Sequence, residues 1–487
     1  MIVSDPRKTI TRVVATAGPR SYDTIEKIIE HGTVRINLSF QKSAKDIADR
    51  VSDIARIRAH SVNRINVMLD AVGPRVKLGP LPLEGIPLPL GAARCITSDV
   101  AKAKGDIILT YFPLHLYVKP KERILLAEGK FACVVDRVEG MDVHVTVSLG
   151  GQLLKRGINL PDTDLEGLPA LSEEDKVTIA AIIKDADVDM IALSFVRTPS
   201  DIEVLRAFLR EQGKTHIKIM AKIETQMAVD LIDGIAAVSD ALMVARGDLW
   251  CELRDMWTLP MVTCDIINAG RARGIPVITA TQVCSSMATQ SIPTRAEVDE
   301  LYFLLKEGSD CIMGSEEFGI GLFPRETADA FRKMGELLYN APRPPRGTGR
   351  IPLALAPHPE EQSTSSCHAQ RVAAVQWAES SPRIACIVVV SVLGKTAREL
   401  YRERPSKPLI VITNTPSTAR YLQLVQVTTV FMAFDGTSPT AQEVASMAMP
   451  LLAKMYGGGD MQKTALLLSH KASGDTLLFA VEEMPLS

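Results

Sequence analysis

Eight short apolar runs recur between residues 11 and 317, and helix-like stretches separate most of them. The runs are TRVVATAG (11–18), TVRINLS (33–39), INVMLDA (65–71), DMIALSF (189–195), IKIMAKIE (217–224), ALMVARGD (241–248), IPVITATQ (275–282) and CIMGSEE (311–317). Near-continuous apolar strands that alternate with helices predict a parallel sheet covered on its outer face. Eight such units are the count of a closed (β/α)8 TIM barrel, although an unusually long doubly wound open sheet is the alternative.

The interval between the third and fourth runs has a different pattern. It begins with GPLPLEGIPLPLG (79–91) and continues with alternating segments such as MDVHVTVSL (141–149), which suit half-buried antiparallel strands. A second proline-rich stretch, APRPPRGTGRIPLALAPHP (341–359), precedes five further apolar runs. We therefore predict a barrel made by residues 1–75 and 169–341, an inserted small β-barrel lid domain at 76–168, a linker at 342–359 and a C-terminal α/β domain at 360–487.

The bulk composition excludes several classes of protein. The 487 residues carry a formal net charge of -2, which argues against nucleic acid as the main partner. Eight cysteines without a C-x-x-C pair argue against a disulfide scaffold or a zinc site. Because the sequence has no apolar signal core and no run of membrane-spanning length, we expect a soluble cytoplasmic protein with no membrane partner.

Polar side chains stand where most of the predicted parallel strands would end. They are Arg35, Asn37, Ser39, Asp70, Ser194, Lys222, Glu224, Asp248, Thr281, Gln282, Ser315 and Glu317. Lys222 and Glu224 are two residues apart and would point to the same side of their strand. Taken alone, Lys222 has a simpler interpretation, because strand-end charges often pair with each other or reach solvent. Burying the whole set without partners would be very costly, so we predict one convergent site at the barrel mouth.

The residue types indicate a site for a phosphorylated acid. Glu224 and Asp248 are hard oxygen ligands, of the kind that hold Mg²⁺ or Mn²⁺ together with substrate oxygens. Arg35 and Lys222 are cations that can clamp a transferring phosphoryl group. The RGD turn that contains Asp248 offers backbone N–H groups to a small carboxylate, and Thr281 offers a hydroxyl from the facing side.

Several segments resemble the pyruvate kinase family. AKIET (221–225) is similar to the family's Lys-Ile-Glu strand end, and MVARGDL (243–249) to its metal-aspartate motif. TATQV (279–283) with PTRAE (293–297) resembles the seventh strand and its loop, and RGINLPDTDLEGLPALSEED (156–175) the return from the inserted domain. The likeness covers nearly the whole chain. It implies a cytoplasmic, tetrameric enzyme of glycolysis that transfers a phosphoryl group from phosphoenolpyruvate to ADP, forming ATP and pyruvate.

The resemblance also implies roles for the residues of the predicted site. Glu224 and Asp248 would hold the divalent metal. Lys222 would stabilise the phosphoryl group in flight, with Arg35 and Ser194 near the phosphate.

The same resemblance assigns the carboxylate end of the substrate. The backbone N–H groups of Gly247 and Asp248, with the hydroxyl of Thr281, would bind the substrate carboxylate. Thr281 and Ser315 match positions associated with the water-linked proton that converts enolpyruvate to pyruvate.

A monovalent-cation site is implied as well. Its ligands match Asn37, Ser39, Asp70 and the carbonyl of Ala71. The position that is glutamate in potassium-dependent members is Arg75 here. Because a tethered, permanently charged arginine can do the electrostatic work of a free cation, we predict that K⁺ is dispensable. The alternative is a surface arginine at the hinge of the lid.

The segment SVLGKTA (391–397) resembles the family's effector-phosphate loop. The candidate contacts are Ser391, Gly394, Lys395 and Thr396. Val392 and Leu393 occupy positions that are often polar in the family, so we expect at best weak binding of phosphorylated sugars. An ordinary helix cap is an equally good interpretation.

The departures from the family lie mostly on the nucleotide side. The nucleotide contacts would be Arg35, Asn37 and Lys77, but Lys77 stands where an arginine is usual and cannot reproduce a bidentate fork. Phe40 replaces a histidine, and Ala180 falls near the usual nucleotide lysine.

Two further departures lie outside that group. Ala127-Glu128-Gly129 replaces the lid's paired aspartates, and Glu316 replaces a strand-eight glycine.

Two functions of different class follow. The first is a catalytically active phosphotransferase, either a slow pyruvate kinase or one with an altered phosphoryl acceptor. The second is a degenerate relative that regulates or scaffolds a partner, or one that performs keto-acid enolate chemistry such as decarboxylation. The intact Lys222, Glu224, Asp248 and Thr281 favour the first, and the lost nucleotide contacts favour the second.

Overall fold

The computed structural model describes residues 12–21, 24–29, 32–40, 43–61, 64–74, 76–102, 107–154, 157–165, 167–340, 365–403, 405–425, 427–431, 443, 464–473 and 476–485. The strands in these ranges are β1 (Arg12–Thr16), β2 (Gly32–Asn37), β3 (Ile65–Ala71), β4 (Ile86–Leu88), β5 (Ala93–Thr97), β6 (Ile108–Leu109), β7 (Arg123–Leu126), β8 (Phe131–Glu139), β9 (Asp142–Leu149), β10 (Gly151–Leu153), β11 (Ile158–Asn159), β12 (Met190–Val196), β13 (Lys218–Ile223), β14 (Ala241–Ala245), β15 (Val277–Ala280), β16 (Cys311–Gly314), β17 (Ile384–Val390), β18 (Leu409–Thr413), β19 (Thr428–Phe431), β20 (Thr464–Ser473) and β21 (Thr476–Pro485). The α-helices are α1 (Ile25–Ile29), α2 (Ala44–His60), α3 (Glu173–Asp185), α4 (Pro199–Glu211), α5 (Gln226–Asp230), α6 (Ile232–Val238), α7 (Arg246–Glu252), α8 (Leu259–Arg273), α9 (Arg295–Glu307), α10 (Glu316–Gly319), α11 (Pro324–Asn340), α12 (Ser365–Ser380), α13 (Lys395–Arg402) and α14 (Pro416–Tyr421).

Eight parallel strands close into a barrel in the order β1-β16-β15-β14-β13-β12-β3-β2. Each strand coincides with one of the eight apolar runs, with β2 and β12 each extending one residue beyond their runs, so the TIM-barrel prediction is confirmed and the open sheet is excluded. The runs are almost wholly apolar because alternate residues of each strand face two different cores, one outside and one inside the barrel. Val34 and Ile36 pack outward with helix residues such as Ile54, whereas Val14 and Met68 belong to the core inside the barrel.

Local capping fixes where the outer helices begin. Ser43 accepts a hydrogen bond from the N–H of Asp46, and the Asp46 carboxylate accepts one from the N–H of Ser43, which is a capping box. Ser172 caps α3 in the same way by accepting from the N–H of Asp175. These caps define the turns that follow the strand ends, where the polar side chains gather.

A curled, mostly antiparallel sheet is inserted between β3 and α3. Its six strands run in the order β11-β7-β8-β9-β5-β6, and β4 pairs with β10 beside it. Lys77 forms a bridge with Gly157 next to one edge of the sheet, and Leu78 forms one with Thr110 next to the other. The segment 77–78 therefore ties the two edges together, as expected for a small β-barrel lid.

A five-stranded sheet, β19-β18-β17-β20-β21, forms the C-terminal α/β domain. It docks against the amino-terminal ends of the barrel strands. Arg420 on α14 lies 2.6 Å from Asp189, just before β12, and the fully buried Arg12 donates to Gln423 at 3.1 Å. This docking leaves the opposite rim of the barrel, where the strands end, open to the inserted sheet.

Candidate active site

The end of β13 places Lys222 among three polar partners. Its Nζ donates to Ser194 Oγ at 2.7 Å and lies 3.0 Å from Glu224 Oε1 and 3.2 Å from Asp70 Oδ1. All four residues are buried. The simpler interpretation of Lys222 is thus correct in one respect, because the strand-end charges do pair with each other. They pair inside the barrel mouth rather than at its surface.

Asp70 joins this group to Arg35. Arg35 Nε donates to Asp70 Oδ2 at 2.6 Å, Nη2 lies 2.5 Å from the same oxygen, and Nη1 donates to the hydroxyl of Thr16 at 3.0 Å. Thr16 in turn donates to the carbonyl of Gly314 at 2.9 Å. The first, second, third and eighth barrel strands therefore hold the Arg35 guanidinium in one orientation.

The pKa values of the three central groups shift because of their burial and their mutual charges. Burial alone would raise the pKa of Asp70, but the charges of Lys222 and Arg35 outweigh it and hold that pKa below its usual range. Burial would lower the pKa of Lys222, yet Asp70 and Glu224 raise it. Lys222 is accordingly a permanently charged ammonium group at neutral pH.

Glu224 behaves differently because a second carboxylate faces it. Burial raises the pKa of Glu224 against the opposing charge of Lys222, and Asp248 raises it further. Its Oε2 accepts the backbone N–H of Phe195 at 2.7 Å. Phe195 has a φ of 53°, a left-handed conformation that is unusual outside glycine. The strained backbone turns this N–H toward the carboxylate.

The turn after β14 faces the end of β15. Gly247 N–H donates to the hydroxyl of Thr281 at 2.8 Å, and that hydroxyl donates to the carbonyl of Ala280 at 2.6 Å. A side chain at Gly247 would approach Thr281 Oγ1 to 3.3 Å, so glycine fits the close approach. Thr281 and Gln282 both have left-handed backbones, with φ of 67° and 54°. The predicted carboxylate-binding groups are thus adjacent.

A cavity of about 180 Å³ lies between these residues. It is lined by Arg35, Asn37, Ser39, Asp70, Ala71, Val72, Ser194, Phe195, Lys222, Glu224, Met243, Ala245, Asp248, Thr281 and Met313. Nine of the twelve predicted strand-end residues therefore meet at one cavity. Ser315 lies beside it at the start of α10, where its N–H donates to Glu317 at 2.7 Å.

A larger cavity of about 420 Å³ adjoins the first and shares Ser39 and Val72 with it. It lies between the barrel rim, the start of α3 and the inserted sheet, and Phe112 and Lys77 contribute to its lining. Lys77 is the single lysine or arginine among the described lining residues, whereas Glu174 and Asp175 are both acidic. Among the described residues, the lining of this second cavity therefore has more acidic than basic side chains.

The other positions that depart from the family's sequence pattern lie on α3, at the start of α10 and in the inserted sheet, or fall outside the described residues. Ala180 is half-buried on α3, and Thr178 rather than Ala180 lines the larger cavity. Glu316 is exposed, and Ala127 and Glu128 form a left-handed turn with φ of 52° and 60°. Arg75 lies outside the described residues, as does the side chain of Phe40.

The 391–397 segment forms the expected strand-to-helix turn. Gly394, with a φ of 76°, is the N-cap residue of α13, and as a glycine it has no side chain to cap the helix. Ser391 and Thr396 are buried, and Lys395 and Leu393 are exposed.

The donor set of the smaller cavity fits a hard divalent cation. Among the described residues, no group of three or more His, Cys, Asp or Glu side chains is arranged to hold a metal by itself. Mg²⁺ usually needs only one or two carboxylates and takes its other ligands from water and substrate phosphate. Glu224 and Asp248, which both line the cavity, meet that requirement.

Three features of the site carry no signal in the sequence. Thr16, which orients Arg35, is an ordinary threonine at the end of a buried strand. The left-handed Phe195 and the methionines of the cavity floor, Met243 and Met313, are also inconspicuous. Only the assembled barrel brings these residues to the charged groups.

A closed parallel barrel with a charged cavity at the carboxyl ends of its strands defines a TIM-barrel enzyme. Residues 7–328 match the family model of the pyruvate kinase barrel domain, and residues 369–461 match that of the pyruvate kinase alpha/beta domain. The chain belongs to the pyruvate kinase family and is a phosphotransferase of that type.

Individual relatives agree with the family models. A pyruvate kinase of Clostridium acetobutylicum is 31% identical over 425 residues, which cover 85% of this chain and 86% of that protein. A pyruvate kinase of Schizosaccharomyces pombe is 33% identical over 427 residues, which cover 85% and 82% of the two chains. None of the helices in the described ranges combines the length and apolar character needed to cross a membrane.

Proposed function

We propose that the protein catalyses metal-dependent phosphoryl transfer from phosphoenolpyruvate to a nucleoside diphosphate, giving pyruvate. The observation that carries the proposal is the buried ammonium of Lys222, held by Ser194, Asp70 and Glu224 at the cavity. A fixed positive charge in a site closed to water stabilises charge that develops on a transferring phosphoryl group.

Binding of the substrate would use both sides of the smaller cavity. Arg35 and Lys222 would bind the phosphate, since both are buried cations that line the cavity. The N–H groups of Gly247 and Asp248 would bind the carboxylate, with the Thr281 hydroxyl beside them. A substrate bound at both ends presents its phosphoryl group in one orientation, which is the main source of rate in such transfers.

In the transfer step, the bond from phosphorus to the enol oxygen breaks while a bond forms to a terminal phosphate oxygen of the acceptor. Lys222 would stabilise the phosphoryl group between the two oxygens. The enolate left behind takes one proton at its methylene carbon and becomes pyruvate. Thr281 and Ser315 would support the water-linked proton that reaches that carbon.

Glu224 and Asp248 would hold the divalent metal, Mg²⁺ or Mn²⁺. When bound beside these two carboxylates, the metal would neutralise negative charge on the phosphate. Asn37, Ser39, Asp70 and the Ala71 carbonyl would form the monovalent-cation site, with Arg75 in place of the ion. Asp70 already forms ion pairs with Arg35 and Lys222, which fits a reduced need for a further cation at this carboxylate.

The larger cavity would take the acceptor, ADP, with Arg35, Asn37 and Lys77 on its phosphates. The excess of acidic over basic side chains among its described lining residues favours a second candidate, in which the acceptor is altered or lost. The protein would then be a regulatory or scaffold relative, or would use the smaller cavity for enolate chemistry such as decarboxylation of a keto acid.

We propose the domain bounds, the assembly, the localisation and the effector binding because the chain resembles the family. The domain bounds are 1–75 and 169–341 for the barrel, 76–168 for the inserted domain, 342–359 for the linker and 360–487 for the C-terminal domain. The assembly is a cytoplasmic homotetramer. The turn with Ser391, Gly394, Lys395 and Thr396 binds phosphorylated sugars weakly at best.

A coupled assay for pyruvate tests the proposal. Phosphoenolpyruvate is supplied with Mg²⁺ and with each nucleoside diphosphate in turn. Pyruvate formation that requires a diphosphate supports the kinase. Pyruvate formed from a keto acid in the absence of any diphosphate would support the decarboxylase, and no turnover of either substrate would support the regulatory role.

A further inference from the structure

Helix α7 connects the smaller cavity to the inserted domain. Its first turn carries Gly247 and Asp248, and its last residue is Glu252. Seven helical residues span about 10 Å, so a force on one end is transmitted to the other with little bending. The two ends of this helix have different surroundings, because one faces the cavity and the other faces the lid.

Glu252 is buried and bonded to the strand by which the chain leaves the lid. Its Oε1 accepts the side-chain Nδ2–H of Asn159 at 2.8 Å and the backbone N–H of Leu160 at 3.2 Å. Asn159 is the last residue of β11 and pairs with Leu125 of β7. The carboxylate therefore joins α7 directly to the edge of the inserted sheet.

Two more contacts enclose the same end of the helix. A side chain at Gly129 would approach Cys251 Sγ to 3.2 Å, so the left-handed turn of the lid lies against the last turn of α7. Beyond the helix, Arg123 donates to the carbonyl of Arg254 at 3.3 Å and is bound to Asp162 at 2.7 Å. The inserted domain thus contacts both the last turn of α7 and the residues that follow it.

We infer that Glu252 is a positioning residue, which couples the inserted domain to α7 and so holds Asp248 in its place at the cavity. The inference rests on the proposed function, since it takes Asp248 as a metal ligand. One carboxyl oxygen of Glu252 accepts from both N–H groups, so two hydrogen bonds tie the end of α7 to the end of β11. Without Glu252, the helix end would be free to shift when the lid moves, and Asp248 would shift with it.

The test measures Mn²⁺ affinity by electron paramagnetic resonance, without turnover. Glu252→Ala and Asn159→Ala should each weaken Mn²⁺ binding about tenfold, a loss of about 1.4 kcal/mol. The double variant should bind Mn²⁺ no more weakly than the weaker-binding single variant, because both substitutions remove the same contact between Glu252 and Asn159. Glu252→Gln keeps an acceptor oxygen and should restore most of the affinity. Glu139→Gln, at an exposed ion pair of the lid, is the matched control and should bind as the unaltered protein does.

A second readout separates positioning from general damage. In turnover assays, the KM for the metal should rise in Asn159→Ala while the KM for the nucleoside diphosphate stays within twofold. If Glu252→Ala does not fold, Asn159→Ala carries the test, since it lies outside α7. Unchanged Mn²⁺ affinity in folded Asn159→Ala, or no Mn²⁺ binding by the unaltered protein, would overturn the inference. Mn²⁺ binding that follows the expected order without any pyruvate formation would overturn the proposed function and leave the inference standing.

Discussion

Lys222 Nζ lies 3.0 Å from Glu224 Oε1, so the buried ammonium group directly contacts a carboxylate that is proposed to hold the metal. The contact explains how two charges two residues apart on one strand are accommodated inside the barrel. Each lowers the cost of burying the other, and Asp70 and the Phe195 N–H complete the set. The same contact fixes the distance between a cation and a proposed metal ligand in the site.

Replacing Lys222 by methionine should lower kcat at least 10²–10³-fold, because a preorganised charge in a closed site is worth that much or more. Binding of Mn²⁺ should stay within about threefold of the unaltered protein, since Glu224 and Asp248 remain. Steady-state assays of pyruvate formation measure kcat, and electron paramagnetic resonance titrations measure Mn²⁺ affinity. Lys218→Met, at the other end of β13, is the matched control. Near-normal turnover in Lys222→Met would show that the assigned role is wrong.

Lys77→Arg should lower the KM for the nucleoside diphosphate about tenfold with little change in kcat. An arginine can form the two parallel bonds to a phosphate that a lysine cannot, and one added charge-assisted bond is worth about 1.4 kcal/mol. Steady-state kinetics with ADP as the varied substrate measure the change. Lys102→Arg, whose lysine pairs with Asp142 on the lid surface, should leave the KM unaltered. An equal response in both variants would argue against Lys77 as a phosphate contact.

Activity should not require potassium, and Arg75→Glu should introduce a requirement for it. A guanidinium group is permanently charged, so it can supply the positive charge that a free cation supplies elsewhere in the family. Turnover is compared in potassium-free, sodium-free buffer and in potassium chloride at matched ionic strength. Strong activation of the unaltered protein by potassium would contradict this account.

Glu252 should make the metal-free protein less stable as the pH rises through the weakly acidic range. Burial raises its pKa from the ordinary 4.5 to about 7, with Asp248 and Glu224 contributing and the bonds from Asn159 and Leu160 opposing. A folded-state pKa above the unfolded one means that the folded protein binds the extra proton. The resulting loss of unfolding free energy begins near pH 4.5, is complete near pH 7 and amounts to about 3 kcal/mol.

Glu252→Gln removes this titration. Its unfolding free energy relative to the unaltered protein should therefore rise by up to about 3 kcal/mol between pH 5 and pH 8. Urea unfolding in the presence of a chelator measures the difference at each pH. A difference that stays constant with pH would mean that Glu252 does not titrate in this range.

The sequence predicts the barrel well because its signals are local and repeated. Each strand is a nearly continuous apolar run, and several outer helices begin at a capping residue such as Ser43 or Ser172. The convergence of Arg35, Asp70, Lys222 and Glu224 follows from topology alone, since the ends of parallel strands share one rim.

Contacts between distant segments are what the sequence does not predict. Glu252 and Asn159 are separated by 93 residues, and neither carries a signal of the other. The positive φ of Phe195 and Thr281 is imposed by the assembled site, because local preference would favour glycine there. The charge of the larger cavity's described lining also depends on which residues the lid brings to the rim.

The most direct test of the central claim follows the phosphorus atom itself. Phosphoenolpyruvate, ADP and Mg²⁺ are incubated with the protein and with Lys222→Met, and the phosphorus resonances are recorded over time. The account predicts that the phosphoenolpyruvate signal is replaced by the terminal phosphate signal of ATP with the unaltered protein, at least a hundredfold faster than with Lys222→Met. A persistent phosphoenolpyruvate signal, or its conversion to inorganic phosphate without ATP, would contradict it.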